Sequence, residues 1–317
     1  MNEGTTVYAV NSSSVVTGYF EDSLRDKHGF TWANGSFETF DVNGSQSETV
    51  AYWLNDKGVS VGVYDDSGTG AEEGFLYKPS GKTKTFDGAG GNSIRTIANG
   101  INNKGVIAGG LCRCEQSGPR FCARERRHAH GIRCAKCRTG SGQGTFAYNI
   151  NDKGAITGFY FDARTLSHGY VRAPDGTLTQ FDIPGSNSGA SPDCVNDKGS
   201  ITGDYEDVKS AIHGFVRAAD GTVTTFDAPD AAQVAGKGTH ASCINNRGEI
   251  AGWYADTSGV FHGYLRSKDG SIAEFDAPNG GTGAMLGTFP TDINRDGVIV
   301  GYYRDNNRVV HGFLLVP

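Results

Sequence analysis

Three sets of side chains in this sequence could do chemistry. The densest is residues 111–138, LCRCEQSGPRFCARERRHAHGIRCAKCR, with five of the seven cysteines, eight Lys/Arg and two of the eight histidines. Cys112, Cys114 and Cys122, with Cys134 and Cys137 as a C-x-x-C pair, could close a zinc knuckle, and the basic charge around them could grip nucleic acid. The second set places a carboxylate six residues ahead of an imidazole five times: Asp22/His28, Asp162/His168, Asp207/His213, Asp256/His262 and Asp305/His311. Such pairs can move a proton or bind a metal. The third set is scattered through connecting segments: Arg95, Asp193, Lys237 and His240, with Met285 beside them.

The elements that must position these groups are repeats. Asn11, Asn55, Asn102, Asn151, Asn196, Asn245 and Asn294 open seven copies of one pattern, at intervals of 44 to 49 residues. The copies begin near residues 4, 48, 95, 144, 189, 238 and 287, and residues 244–281 carry the fullest one, INNRGEIAGWYADTSGVFHGYLRSKDGSIAEFDAPNGG. Each contains four short β-type runs, represented by residues 145–150 (TFAYNI), 155–160 (AITGFY), 168–172 (HGYVR) and 177–182 (TLTQFD). Between the first two runs, Asn-Asp-Lys-Gly predicts a type I turn followed by a Gly at positive φ. Between the last two stands a D-G hairpin signal, Asp175-Gly176, matched by Asp220-Gly221 and Asp269-Gly270.

Glycine at 47 of 317 residues is about twice ordinary usage and suits turn-rich β structure over helix. Four-stranded units of this length predict an all-β propeller, one domain over 1–317, because a single sheet cannot bury both its faces. Seven four-stranded blades are expected. Six blades and a leftover half-repeat also fit the count, since the seventh copy ends without its TFD run.

Five identical Asp–His pairs spread around a ring cannot converge on one substrate, so a structural clamp repeated per blade is expected of them. Asn-Asp-Lys-Gly lacks the alternating acids and distal Glu of a calcium loop. No metal and no cofactor is expected. Cys194 and Cys243 precede the lead Asn in adjacent copies and read as two small unpaired core residues, because matched positions in neighbouring blades rarely approach within ~7 Å.

Residues 111–138 occupy the place of the third copy's second-strand end, HGF run and TFD run. Read one nucleotide later, their codons permit YVDAS, AHGFVR and TAFDAPS, the missing repeat at the right spacing. A pair of compensating frameshifts near Leu111 and Thr139 is the reading adopted, and the cysteines then carry no evolved chemistry. Without the segment, 29 basic against 35 acidic residues become 21 against 33, a balance of −12. Acidic charge argues against a nucleic-acid partner. No apolar run approaches the ~20 residues of a membrane span.

The tripeptides His28-Gly29-Phe30, His168-Gly169-Tyr170, His213-Gly214-Phe215, His262-Gly263-Tyr264 and His311-Gly312-Phe313, with an N-x-x-G-x-I-x-G-x-Y stretch before each (NSSSVVTGYF, with Ser14 and Val16, before the first), resemble the bacterial HAF-type extracellular repeat. The second copy departs from it with Glu73-Gly74-Phe75. The resemblance spans nearly the whole chain and implies a secreted or cell-surface protein without an assigned activity. The start, MNEGTTVYAV, reads as no signal peptide, which makes a piece of a longer protein one expectation.

Two functions follow. A monomeric binding or structural scaffold would display blade-crossing loops (43–49, 88–96, 185–193, 230–240 and 279–290) to a glycan, peptide or protein, with Arg95, Asp193, Lys237 and His240 as contact candidates. A hydrolase or lyase would converge residues at the central channel, and would gain if Arg95, Asp193 and His240 faced one pocket. Near-perfect repetition favours the scaffold.

Overall fold

The computed structural model describes residues 4–44, 48–66, 68, 70–87, 93–113, 145–162, 164 and 166–317. Among them the chain is all β, with one short 3-10 turn at Val42–Gly44 and no α-helix. Repeat four shows the unit: Thr145–Ile150, Ile156–Phe161, Ser167–Arg172 and Leu178–Phe181 pair antiparallel in sequence order. Repeats one, two, five and six repeat it. Among the described residues repeat seven has three strands, ending with Val310–Leu315. Repeat three keeps the pattern through Ile107–Arg113. The frameshift reading and Cys114, Cys122, Cys134 and Cys137 concern positions outside the described residues.

The first turn forms as the Asn-x-x-Gly pattern predicts. Gly58, Gly105, Gly154, Gly199, Gly248 and Gly297 have φ between 70° and 94°, and Ser14 takes the same conformation at 58° in repeat one. The lead Asn closes this turn with its own side chain: Asn196 Oδ1 accepts from the Lys198 and Ser200 amides at 3.0 and 2.9 Å. Its Nδ2 then leaves the repeat and donates to the carbonyl of the next lead Asn. Bonds of this kind run from Asn11 to Asn55, Asn102, Asn151, Asn196, Asn245 and Asn294, and Asn294 donates back to Asn11 at 3.0 Å. The circle is closed. First and last strands also meet at a parallel bridge, Gly4 with Val310, of the kind that joins Ser167 to Gly189 and Phe261 to Gly287.

Core packing is regular between repeats. The fourth-strand Phe of one unit meets the third-strand aromatic of the next edge-on, as in Phe181–Phe215, Phe226–Tyr264 and Phe275–Phe313 at 6.2 to 6.3 Å. Cys194 and Cys243 correct the expectation of unpaired thiols: they form a disulfide with Cα atoms 5.0 Å apart. The inner strands converge on the axis, so matched positions come closest there.

Candidate functional site

Every innermost strand carries a β-bulge at the third residue before its lead Asn. Pairing with the second strand skips Tyr8, Tyr52, Asn99, Tyr148, Asp193, Ser242 and Thr291 in turn. The cause is legible across the ladder. The second strand presents glycine opposite each bulge, and a Cβ on Gly18, Gly62 or Gly158 would strike the carbonyl of Thr6, Val50 or Phe146. Where glycine lets the inner backbone come that close, the extra residue is left unpaired and its side chain is re-aimed.

All seven skipped residues line one cavity of about 580 Å³, with Trp53, Phe146, Trp253, Phe289 and Tyr302 filling out its wall. The seven do not behave alike. Asn99 Nδ2 donates to the Ala147 carbonyl, Ser242 Oγ to that of Pro290 and Thr291 Oγ1 to that of Val7, so these three tie neighbouring repeats together. Tyr8, Tyr52, Tyr148 and Asp193 have no hydrogen-bond partner among the described residues, and neither has the Tyr302 hydroxyl. Core tyrosines differ: Tyr64 donates to Glu73 and Tyr264 to the His240 carbonyl. Burial keeps the cavity phenols neutral, raising Tyr8, Tyr148 and Tyr302 and pushing Tyr52 up to about 12. Burial first and the Asp204 charge second hold the Asp193 carboxyl well above the usual carboxylate range.

At the opposite end the lead-Asn turns line a smaller space of about 230 Å³. Trp53 and Asn149 line both spaces. Trp53 also packs against the core around Cys194, Ile244 and Ile293, on the far side of the axis from its own repeat. The tyrosine-lined space is therefore a recess with an indole at its floor.

Of the four scattered candidates, Arg95 and Asp193 line this cavity, and Lys237 and His240 are not among its lining residues. Arg95 is ion-paired to Glu72 on the neighbouring repeat. Lys237 Nζ donates to the Thr257 carbonyl at 2.6 Å in an exposed loop. His240 stands behind the wall, stacked on Trp253 at 3.8 Å with Nδ1 on Asp204 at 2.6 Å.

The ten Asp–His residues lie outside the cavity lining. Each Asp accepts backbone amides of its own turn, as Asp207 does from Lys209 and Ala211 at 2.7 and 2.9 Å. The His Nε2 lies 3.5 to 3.8 Å from Asp22, Asp162, Asp207 and Asp256. The closer partner is one the spacing did not single out, the Asp ending the TFD strand. Nδ1 of His28, His168, His213 and His262 meets Asp41, Asp182, Asp227 and Asp276 at 2.6 to 3.0 Å. In repeat seven His311 Nε2 instead meets Asp305 at 3.2 Å. Burial works to lower His28, and the Asp41 and Asp22 carboxylates outweigh it and raise it. Among the described residues no group of three His, Cys, Asp or Glu side chains is arranged to hold a metal ion. None of their helices is long and apolar enough to cross a membrane.

No protein-family model and no curated protein sequence matches the chain. Solved structures do. The β-propeller domain of the Trilobed protease from Pyrococcus furiosus aligns over 99% of this chain and 95% of its own, at 10% identity and a TM-score of 0.54. The fucose-specific lectin from Aleuria aurantia aligns over 100% of this chain and 94% of its own, at 10% identity and a TM-score of 0.50. At such identities the likeness is one of fold: this chain is built as the β-propellers are.

Proposed function

We propose that the chain is a seven-bladed propeller of the HAF-repeat type, exported or held at the cell surface, that binds a carbohydrate as a monomer at the tyrosine-lined end of its channel. One observation carries the reading: seven bulges deliver seven side chains to a single recess, and there the repeats differ from one another. The ligand seat moves accordingly from the blade-crossing loops to the inner strands. Arg95 and Asp193 stay in it, and Lys237 and His240 leave it. Seven lead asparagines closing one hydrogen-bonded circle support the blade count. The Cys194–Cys243 disulfide supports an oxidising compartment.

Carbohydrate is the class that the recess chemistry suits. Sugar rings offer flat C–H faces to aromatic rings and hydroxyls to polar atoms. The wall supplies both, through tyrosine and tryptophan faces and the unengaged phenols. The fucose-specific lectin is a propeller that binds a sugar. A titration of Trp53 and Trp253 fluorescence with a panel of neutral oligosaccharides tests it. Saturable quenching whose midpoint Tyr52→Ala shifts about 10-fold supports the reading, and a flat response across the panel refutes it.

The alternative, a hydrolase or lyase, draws on Arg95 and Asp193 sharing one cavity and on a carboxyl that burial raises above the usual range, the direction a general acid needs. Turnover of an aryl glycoside or of a uronic-acid oligosaccharide, lost in Asp193→Asn, would replace binding with catalysis.

A further inference from the structure

We infer that the occupant of the tyrosine-lined recess bears a cationic amine, with Asp193 as its counter-ion and the Tyr148, Tyr52 and Tyr8 rings as its surround. The inference rests on the carbohydrate reading above and narrows it to an amino sugar with a free amine.

Asp193 is the odd member of its rank. In repeats three, six and seven the same bulge position is Asn99, Ser242 or Thr291, and each spends its polar group on a neighbouring backbone carbonyl. Asp193 makes no such bond among the described residues. It sits half-buried on the cavity wall, with Tyr148 on one side and Asp204 behind it. A second carboxylate close by makes the position worse for an anion, and Asp204 is already committed to His240 at 2.6 Å. Arg95, the one cation on the same wall, is committed to Glu72. The charged groups near Asp193 thus leave it uncompensated. Leaving an ionisable group in an apolar wall is costly, and an incoming cation relieves that cost.

Tyrosine faces point the same way. The electron-rich face of an aromatic ring attracts ammonium groups, most strongly where water is excluded. Tyr8 and Tyr52 lie with ring centroids 5.3 Å apart, and Tyr302 stacks on Phe289 at 4.9 Å, so the wall presents several such faces. A volume of about 580 Å³ is ample for a short oligosaccharide. A metal ion is a poorer occupant, because a lone carboxylate falls short of the 6–8 oxygens that calcium takes.

The test uses trisaccharides that differ only at C2: the β-1,4-glucosamine trimer, its fully N-acetylated form and cellotriose, with choline as a sugar-free cation. Quenching of Trp53 and Trp253 reports occupancy. The glucosamine trimer should bind at least 10-fold more tightly than cellotriose. Asp193→Asn should remove that preference. Equal affinity for all three sugars, or a preference that survives Asp193→Asn, overturns the inference and leaves the carbohydrate reading standing. Choline binding that depends on Asp193, without any sugar binding, keeps the cation and removes the sugar. Silence from all four ligands overturns both.

Discussion

The two ends of the channel are built from the same inner strands, three residues apart, and they obey opposite rules. At the narrow end every repeat supplies Asn, and every Asn bonds both to its own turn and to its neighbour, twice to the turn in all but Asn151, which among the described residues accepts only from Ala155 there. At the wide end the bulge position holds three tyrosines, an Asn, an Asp, a Ser and a Thr. Identical side chains at one rank suit a load shared equally around a ring. Different side chains at one rank suit an asymmetric guest. In a repeat protein, the informative comparison is therefore between ranks across copies.

The largest effect should come where the two ends meet. Replacing Cys194 and Cys243 together by Ala opens a loop with a sequence separation of 49 residues and should cost about 4 kcal/mol in the chain-entropy description. Chemical denaturation of the oxidised protein and the double variant measures it, and a difference below ~1 kcal/mol would show that the inner strands hold together without the bond. Next comes the narrow end itself. Asn196→Ala strips three hydrogen bonds from a buried site and should cost about 3 kcal/mol while leaving the wide recess able to bind. A ring variant that folds with full stability would break the comparison at its root.

Asp292 sharpens it by pH. This buried carboxyl accepts the Val10 and Ile293 amides at 2.9 and 2.8 Å, at the junction of the last repeat with the first, and burial raises it to about 7. Because the folded state holds the proton more tightly, its contribution is complete below pH ~4 and is lost as pH rises through about 7, by about 4 kcal/mol. Melting temperature should decline by a few degrees across that window, and Asp292→Asn should flatten the decline. At the wide end, Tyr52→Ala should weaken ligand about 10-fold, near 1.4 kcal/mol, with the melting temperature almost unmoved. The smallest effect belongs to the rim, where His168→Gln loses a partly exposed pair to Asp182 worth under ~1 kcal/mol. A change at His168 that altered ligand affinity would mean that the rim takes part in recognition.

Much of this was legible in the residues and some was not. The Asn intervals, the D-G pairs and the turn glycines fix strands and hairpins through local chemistry, which a sequence displays directly. The bulges were displayed too: the second-strand Gly of N-x-x-G-x-I-x-G faces each one, and only a close backbone approach explains a glycine there in all seven copies. Reading each copy as four plain β-type runs hid it, and with it Tyr8, Tyr52 and Tyr148. The Cys194–Cys243 bond depends on how strands converge around an axis, which spacing along one chain does not encode, whereas the Asp182-type partners follow from the hairpin register that sets Gly169 opposite Phe181 and were overlooked in favour of the six-residue spacing.

One consequence of the asparagine circle concerns how such a protein can change. Each side-chain amide points the same way round, so the donor of one unit is spoken for by the next and the sequence of bonds has no first or last member. A duplication that adds a unit must enter that circulation with an Asn of its own, between two that already bond to each other. The circle thus works as a counter: it penalises a surplus or missing unit directly, leaving the opposite mouth free to drift toward new guests without altering the number of units beneath it.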